Sequence, residues 1–342
     1  MAIPSRNQDW LALTIEEVLD PALPICDPHH HLWDQQPGCV APRYLLDEIM
    51  EDVGAGHNVV ATVFIECGAM YKRDGPEALK PVGETEFVNG IAAMSSSGVY
   101  GKTRVAAAIV GTADLRLGEK VATVLDAQIA AGGGRFRGIR RGATWDPDAA
   151  VPNHRTAPGP RLLLGDEFRA GFAQLAPRGL TFEAWCYHRQ IPEVTALARA
   201  FPGTTIILNH FGGPLGIGPY AGKRKEVFAD WHSAITDLAS CPNAVAKLGG
   251  INMEMNGFGW HERMRPPSSQ ELAEATRHFY EHTIEKFGAD RCMFESNFPV
   301  DKASCSYTVL WNSFKRLTAG CSVAEKAKLF HDTAVRVYRL DL

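Results

Sequence analysis

Eight short runs of β-type residues recur along this 342-residue chain, at 23–27, 58–66, 104–110, 136–140, 180–186, 204–209, 243–248 and 291–295. Between them lie longer stretches with helical spacing, at 43–52, 85–97, 117–131, 166–176, 191–200, 224–240 and 269–287, and a last one follows at 323–337. Strands that alternate with helices pair in parallel, because each return crossing needs a long connection. Two arrangements satisfy the pattern: a closed barrel or an open doubly wound sheet. An open nucleotide-binding sheet would carry G-x-G-x-x-G after its first strand. Here that place holds Asp27-Pro28-His29-His30-His31-Leu32-Trp33, and the Gly132-Gly133-Gly134 run precedes a strand instead of opening a helix. The expected fold class is therefore α/β, a (β/α)8 TIM barrel over 25–342. Residues 1–24 read as a short N-terminal extension packed on it through Trp10, Leu11 and Leu13, with a short helix starting at Thr14-Ile15-Glu16-Glu17.

The barrel reading makes a demand on the polar residues. Active sites of such barrels form at the C-terminal ends of the strands. The first strand leads into His29 and His31, which alternation turns to one face while His30 turns to the other. The second ends in Glu66, the fourth in Arg140 and Arg141, and the fifth runs into Tyr187, His188 and Gln190. The sixth ends in Asn209 and His210, the seventh in Lys247, and the eighth in Ser296 and Asn297, with Asp301 four residues on. Long Gly/Pro-rich loops at 67–84, 141–165, 211–222 and 249–268 follow four of these strands and serve as substrate-binding elements. Trp145 and Tyr187 lie in this face and are candidates to line a pocket.

Composition narrows the partner. A hydrophobic content of 45% and a net charge of -4 suit a globular chain without a basic surface, so nucleic acid is not expected. No apolar stretch approaches the ~20 residues of a membrane span, and the first residues carry no signal-type apolar core. A cytoplasmic enzyme acting on a small, anionic molecule is the expectation. The eight cysteines form no C-x-x-C pair, which argues against a thiolate zinc site.

The motifs DPHHHLW at 27–33, TVFIECG at 62–68, FRGIRR at 136–141, LNHFGGP at 208–214, AKLGG at 246–250 and RCMFESNFPVD at 291–301 resemble those of the amidohydrolase superfamily, and within it the amidohydrolase-2 group of sugar-acid and pyrone-dicarboxylate lactonases. The resemblance spans about residues 23–340. It implies a hydrolase that opens a lactone, or a related cyclic ester or amide, of a small carboxylated or hydroxylated substrate. It implies His29, His31 and His210 as ligands of Zn²⁺ or another divalent metal, or as groups that polarise the substrate directly in a metal-free site. Arg140 matches an arginine that grips a substrate carboxylate, with Glu66, Tyr187, Lys247 and Trp145 as further substrate contacts.

The eighth strand departs from the group. Where its members carry an Asp that binds metal and activates water, this chain has Asn297, whose amide takes up no proton at neutral pH. His188, Asp301 and Glu66 are the candidate replacements. The same group contains non-oxidative decarboxylases and hydratases, and a non-catalytic descendant that binds a small acid is a third class.

Overall fold

A computed structural model describes residues 5–36, 39 and 41–342. Its eight strands are β1 (Pro24–His30), β2 (Asn58–Ile65), β3 (Arg104–Gly111), β4 (Phe136–Gly142), β5 (Thr181–Trp185), β6 (Ile206–Leu208), β7 (Ala244–Leu248) and β8 (Cys292–Phe294). They pair in parallel, each with the next in sequence, from β1 to β8. The ring closes just past β8, where His31 N donates to Phe298 O at 2.8 Å and Asn297 N to His29 O at 2.9 Å. The (β/α)8 barrel is thus the fold, and each strand overlaps the β-type run read from the sequence.

Strand alternation divides the core in two. Outward residues such as Ile25, Phe64, Ile109, Ile139, Phe182, Leu208 and Phe294 pack against the surrounding helices. Inward residues Cys26, Ala61, Val63, Ala108, Ile207, Val245 and Met293 fill the barrel, where Ala334, Val337, Tyr338 and Leu340 join them. The C-terminal helix Thr333–Tyr338 therefore seals the barrel interior at the end opposite the strand C-termini.

Three local expectations change. Helix Tyr307–Leu317, capped by Ser306, falls between β8 and the last helical pattern, where none was expected. Its sequence, YTVLWNSFKRL, carries one-sided apolar spacing at Val309, Leu310, Trp311 and Phe314 behind a Ser306 cap, so the helix signal was present in the chain itself. The pattern at 323–337 is broken into Val323–Ala327, a π-turn over Lys328–Asp332, and Thr333–Tyr338. Near the N-terminus the helix is Ser5–Leu11, and Thr14–Glu17 is irregular. That irregular stretch is tied down instead: Thr14 Oγ1 donates to Pro266 O at 2.8 Å, and Asn312 Nδ2 donates to Glu16 Oε2 and Glu17 O. No helix among the described residues is long and apolar enough to cross a membrane.

Candidate active site

The site starts from strand parity. Inward position Met293 on β8 makes Glu295, two residues on, point inward as well. Its carboxylate is fully buried between two histidines. His210 Nδ1 lies 2.6 Å from Glu295 Oε1 and His29 Nδ1 lies 2.6 Å from Oε2. The second contact lacks hydrogen-bond alignment, so Oε2 remains a buried oxygen without a hydrogen-bond partner. Burial pushes the Glu295 carboxyl up to about 8, although Lys247 opposes the rise. Burial also holds His29, His31 and His210 well below the ordinary imidazole range, with Lys247 and Arg140 adding to the effect at His29 and His210. The three rings are neutral.

The backbone at this centre is shaped for close approach. His210, Phe211 and Asn297 all have positive φ, at 52°, 58° and 57°. Such values cost non-glycine residues about 1–3 kcal/mol each and cluster at functional sites. Gly250, at φ +67°, lies against the His210 ring, where a Cβ would overlap Nδ1. A Cβ on Gly249 would meet the backbone and Cγ of Glu295. The two glycines of AKLGG thus make room for the two side chains. Trp185 closes another side, edge-on to His210 at 4.7 Å, within an apolar wall of Tyr187, Leu215 and Met253.

The expected site residues divide between the centre and its surroundings. His29 and His210 meet at the centre, with ring centroids 4.5 Å apart. His31 stands beside them, 4.9 Å from His29, with Nδ1 on Ile65 O at 2.8 Å and its ring stacked on Trp33. His30 turns away to Thr62 Oγ1, as alternation requires. Arg140 points inward, with three of its five N–H donors engaged. Nε donates to Glu66 Oε1 at 2.9 Å, Nη2 donates to Glu66 O, and Nη1 faces His29 Nε2 at 3.3 Å. Arg155, from the loop after β4, holds the other Glu66 oxygen. Burial would raise the Glu66 carboxyl, but Arg155 and Arg140 outweigh it and bring it down to about 2. Glu66 is an ionised bridge between two guanidiniums rather than a base.

Other expected residues are placed away from the centre. Asn297 Nδ2 donates to Asp301 Oδ1 at 2.9 Å, which turns these two side chains toward each other and leaves Asp301 Oδ2 without a hydrogen-bond partner. His188 Nδ1 accepts from Leu215 N, and its ring packs on Tyr220 in an outer cavity shared with Asp146, Arg189 and Asp230. Burial takes His188 down to about 4. Trp145 lines a neighbouring crevice with Arg161, Gln190 and Glu193. The Tyr187 hydroxyl donates to Pro152 O and pins the loop after β4. Lys247, by contrast, borders the centre without reaching solvent: it is buried against Glu183, 2.9 Å away, with its Nζ 3.4 Å from His29 Nδ1.

Glu295 is the residue that sequence reasoning missed. With no acid at position 297, the sequence offered His188, Asp301 and Glu66 in its place; the carboxylate that meets His29 and His210 is Glu295. Its signal was present: an acidic residue closing the eighth β-type run, at the parity of inward Met293. Among the described residues, the group whose ligand atoms all lie within 4.8 Å of one another is His29, His210 and Glu295. The carboxylate takes the third place in that group, where the sequence put His31. Two imidazoles and a carboxylate are a donor set that divalent zinc accepts in catalytic sites with an open position. The unpartnered Oε2 is the acceptor such an ion would satisfy, so the residues fit a divalent cation.

Comparison with known proteins places these features in a lineage. The Amidohydrolase family model matches residues 26–340. The uncharacterized protein y4mH of Sinorhizobium fredii is 33% identical over 334 residues, 92% of this chain and 98% of its own. An L-fucono-1,5-lactonase of Burkholderia multivorans is 24% identical over 326 residues, 92% of this chain and 95% of its own. A crystal structure of an amidohydrolase from Burkholderia multivorans with bound zinc superimposes with a TM-score of 0.71 at 24% identity, over 93% of this chain and 99% of that one.

Proposed function

The chain belongs to the amidohydrolase family, and on that premise we propose that it hydrolyses the ring ester of a polyhydroxylated sugar-acid lactone at the His29–Glu295–His210 centre. The observation that carries this reading is Glu295: a buried carboxylate, raised in basicity, set between two neutral imidazoles at the mouth of the barrel. A general base is most effective when its pKa lies near the working pH. The relative named as a fuconolactonase supports the substrate class. So does the state of Arg140, whose Nε and Nη2 are held by Glu66 while Nη1 faces His29. A substrate carboxylate would have to displace Glu66, whereas a hydroxylated ring need not.

His29, His210 and Glu295 would hold a divalent cation, which when bound supplies Lewis acidity to the ester carbonyl. The remaining steps belong to the chain itself. Glu295 takes a proton from the attacking water while its Oε1 keeps His210 in place. The water oxygen bonds to the acyl carbon, the ring C–O bond breaks, and the proton returns to the ring oxygen to give the open hydroxy acid. Trp185, Tyr187, Leu215 and Met253 form an apolar wall that keeps other water from the ester.

The test is a panel of aldonolactones read by acid release, run beside a CO₂-release assay with aromatic acids. Turnover of a neutral aldonolactone is expected. Release of CO₂ without lactone opening would replace hydrolysis by decarboxylation, and silence in both assays would leave a binding protein.

A further inference from the structure

The barrel interior beneath the centre carries charges that the proposed hydrolysis does not use. Lys247 projects inward from β7, at the parity of the inward Val245, and is fully buried. Its Nζ lies 2.9 Å from Glu183 Oε2 on β5 and 3.4 Å from His29 Nδ1. Glu183 is held from two more sides: Asn209 Nδ2 donates to Oε2, and the Tyr338 hydroxyl donates to Oε1. Tyr338 belongs to the C-terminal helix that seals the barrel. A continuous line of contacts therefore runs from that seal, through Tyr338, Glu183 and Lys247, to a nitrogen of the candidate cation site.

An ammonium this close to His29 has two opposite effects. It attracts the Glu295 carboxylate, and it repels any divalent ion that His29, His210 and Glu295 would share. Deep in a barrel such interactions are little screened by salt. We propose that Lys247 is the resident cation of this centre: a positioning residue, anchored by Glu183 and Tyr338, that steadies His29 and Glu295 and keeps the affinity for a divalent ion low enough for the ion to exchange. The inference rests on the three side chains being a cation site, and not on which ester is opened.

Zinc alone is the probe, titrated into the full-length protein in competition with a chromogenic chelator at fixed pH and ionic strength. Wild type, K247M and the E183Q/K247M double variant are compared. Removing both members of a buried ion pair is tolerated far better than stranding one charge, so the double variant serves if K247M does not fold. K247M is expected to bind zinc about tenfold more tightly or better, since it loses a nearby positive charge and keeps Glu183. The double variant should fall between K247M and wild type, because Lys247 is nearer to His29 than Glu183 is. Zinc affinity that is unchanged or weaker in the folded double variant overturns the proposal, as does a failure of all three proteins to bind zinc. Zinc binding in the expected order without lactone opening would sink the proposed function and leave this inference standing. Lactone opening with unchanged zinc affinity would do the reverse.

Discussion

Replacing Glu295 by Gln tests the centre most directly. The side chain is fully buried, and its two oxygens lie 2.6 Å from His210 Nδ1 and 2.6 Å from His29 Nδ1. Glutamine keeps the shape, removes the charge and turns one acceptor into a donor. A hydrogen bond to a charged partner contributes about 1.5–3 kcal/mol. Loss of a positioned general base typically costs about 10²–10⁴ in rate. We therefore expect kcat/KM of E295Q to fall about 10³-fold, equivalent to about 4 kcal/mol of barrier. The thermal midpoint should stay close to wild type, because an amide carries no charge to desolvate. The assay is acid release from the best aldonolactone of the panel, with circular dichroism as the folding check. The double variant E295Q/N297D decides between the two positions. Asn297 points to Asp301 rather than to the histidines, so an aspartate there should recover less than about a tenth of the lost activity. E295Q retaining activity within about tenfold of wild type, or a full rescue by N297D, would refute the assignment.

Three further outcomes follow from the same geometry. N297D alone sets a second buried carboxylate against Asp301 in place of the 2.9 Å amide bond; it should cost about 2–4 kcal/mol in urea unfolding. G250A drives a methyl group into the His210 ring and should lower kcat about tenfold or more, whereas G90A, which meets open space on helix Val82–Ser96, should leave turnover unchanged. Burial raises the Asp301 carboxyl to about 8, against an ordinary value of about 4 in the unfolded chain. The folded state therefore binds the extra proton between those values. This stabilising contribution is fully present below about pH 4 and is lost as pH rises to about 8. Urea unfolding of wild type should weaken across that window, and D301N, neutral throughout, should give a flatter profile.

Parity and spacing made much of this protein legible in one dimension. The eight β-type runs, the intervening helical patterns and the missing glycine fingerprint specified a parallel barrel, because strand and helix periods are local properties of the chain. The same alternation set His29 and His31 on one face and His30 on the other, and a register shift in β1 between Asp27 and His30 made the first face the inward one. It failed where several partners compete for one side chain. Arg140 reads as a free clamp until Glu66 and His29 are seen to occupy its donors. Lys247 reads as a substrate contact until Glu183 and Tyr338, 155 residues apart in sequence, are seen to meet beneath it. Helix Tyr307–Leu317 was legible, with a Ser306 cap and one-sided apolar spacing, although no helix was expected there.

The eighth strand shows the division best. Sequence alone determined that position 297 holds an amide, and hence that no acid stands there. Only the closed barrel decided that the centre nevertheless has a carboxylate. Closure sets β8 beside β1, and side chains at the ends of β1, β6 and β8 converge on the axis, so Glu295 lies between His29 and His210, residues 266 and 85 positions away. Such proximity follows from how the strands close around the axis, and no local pattern encodes it.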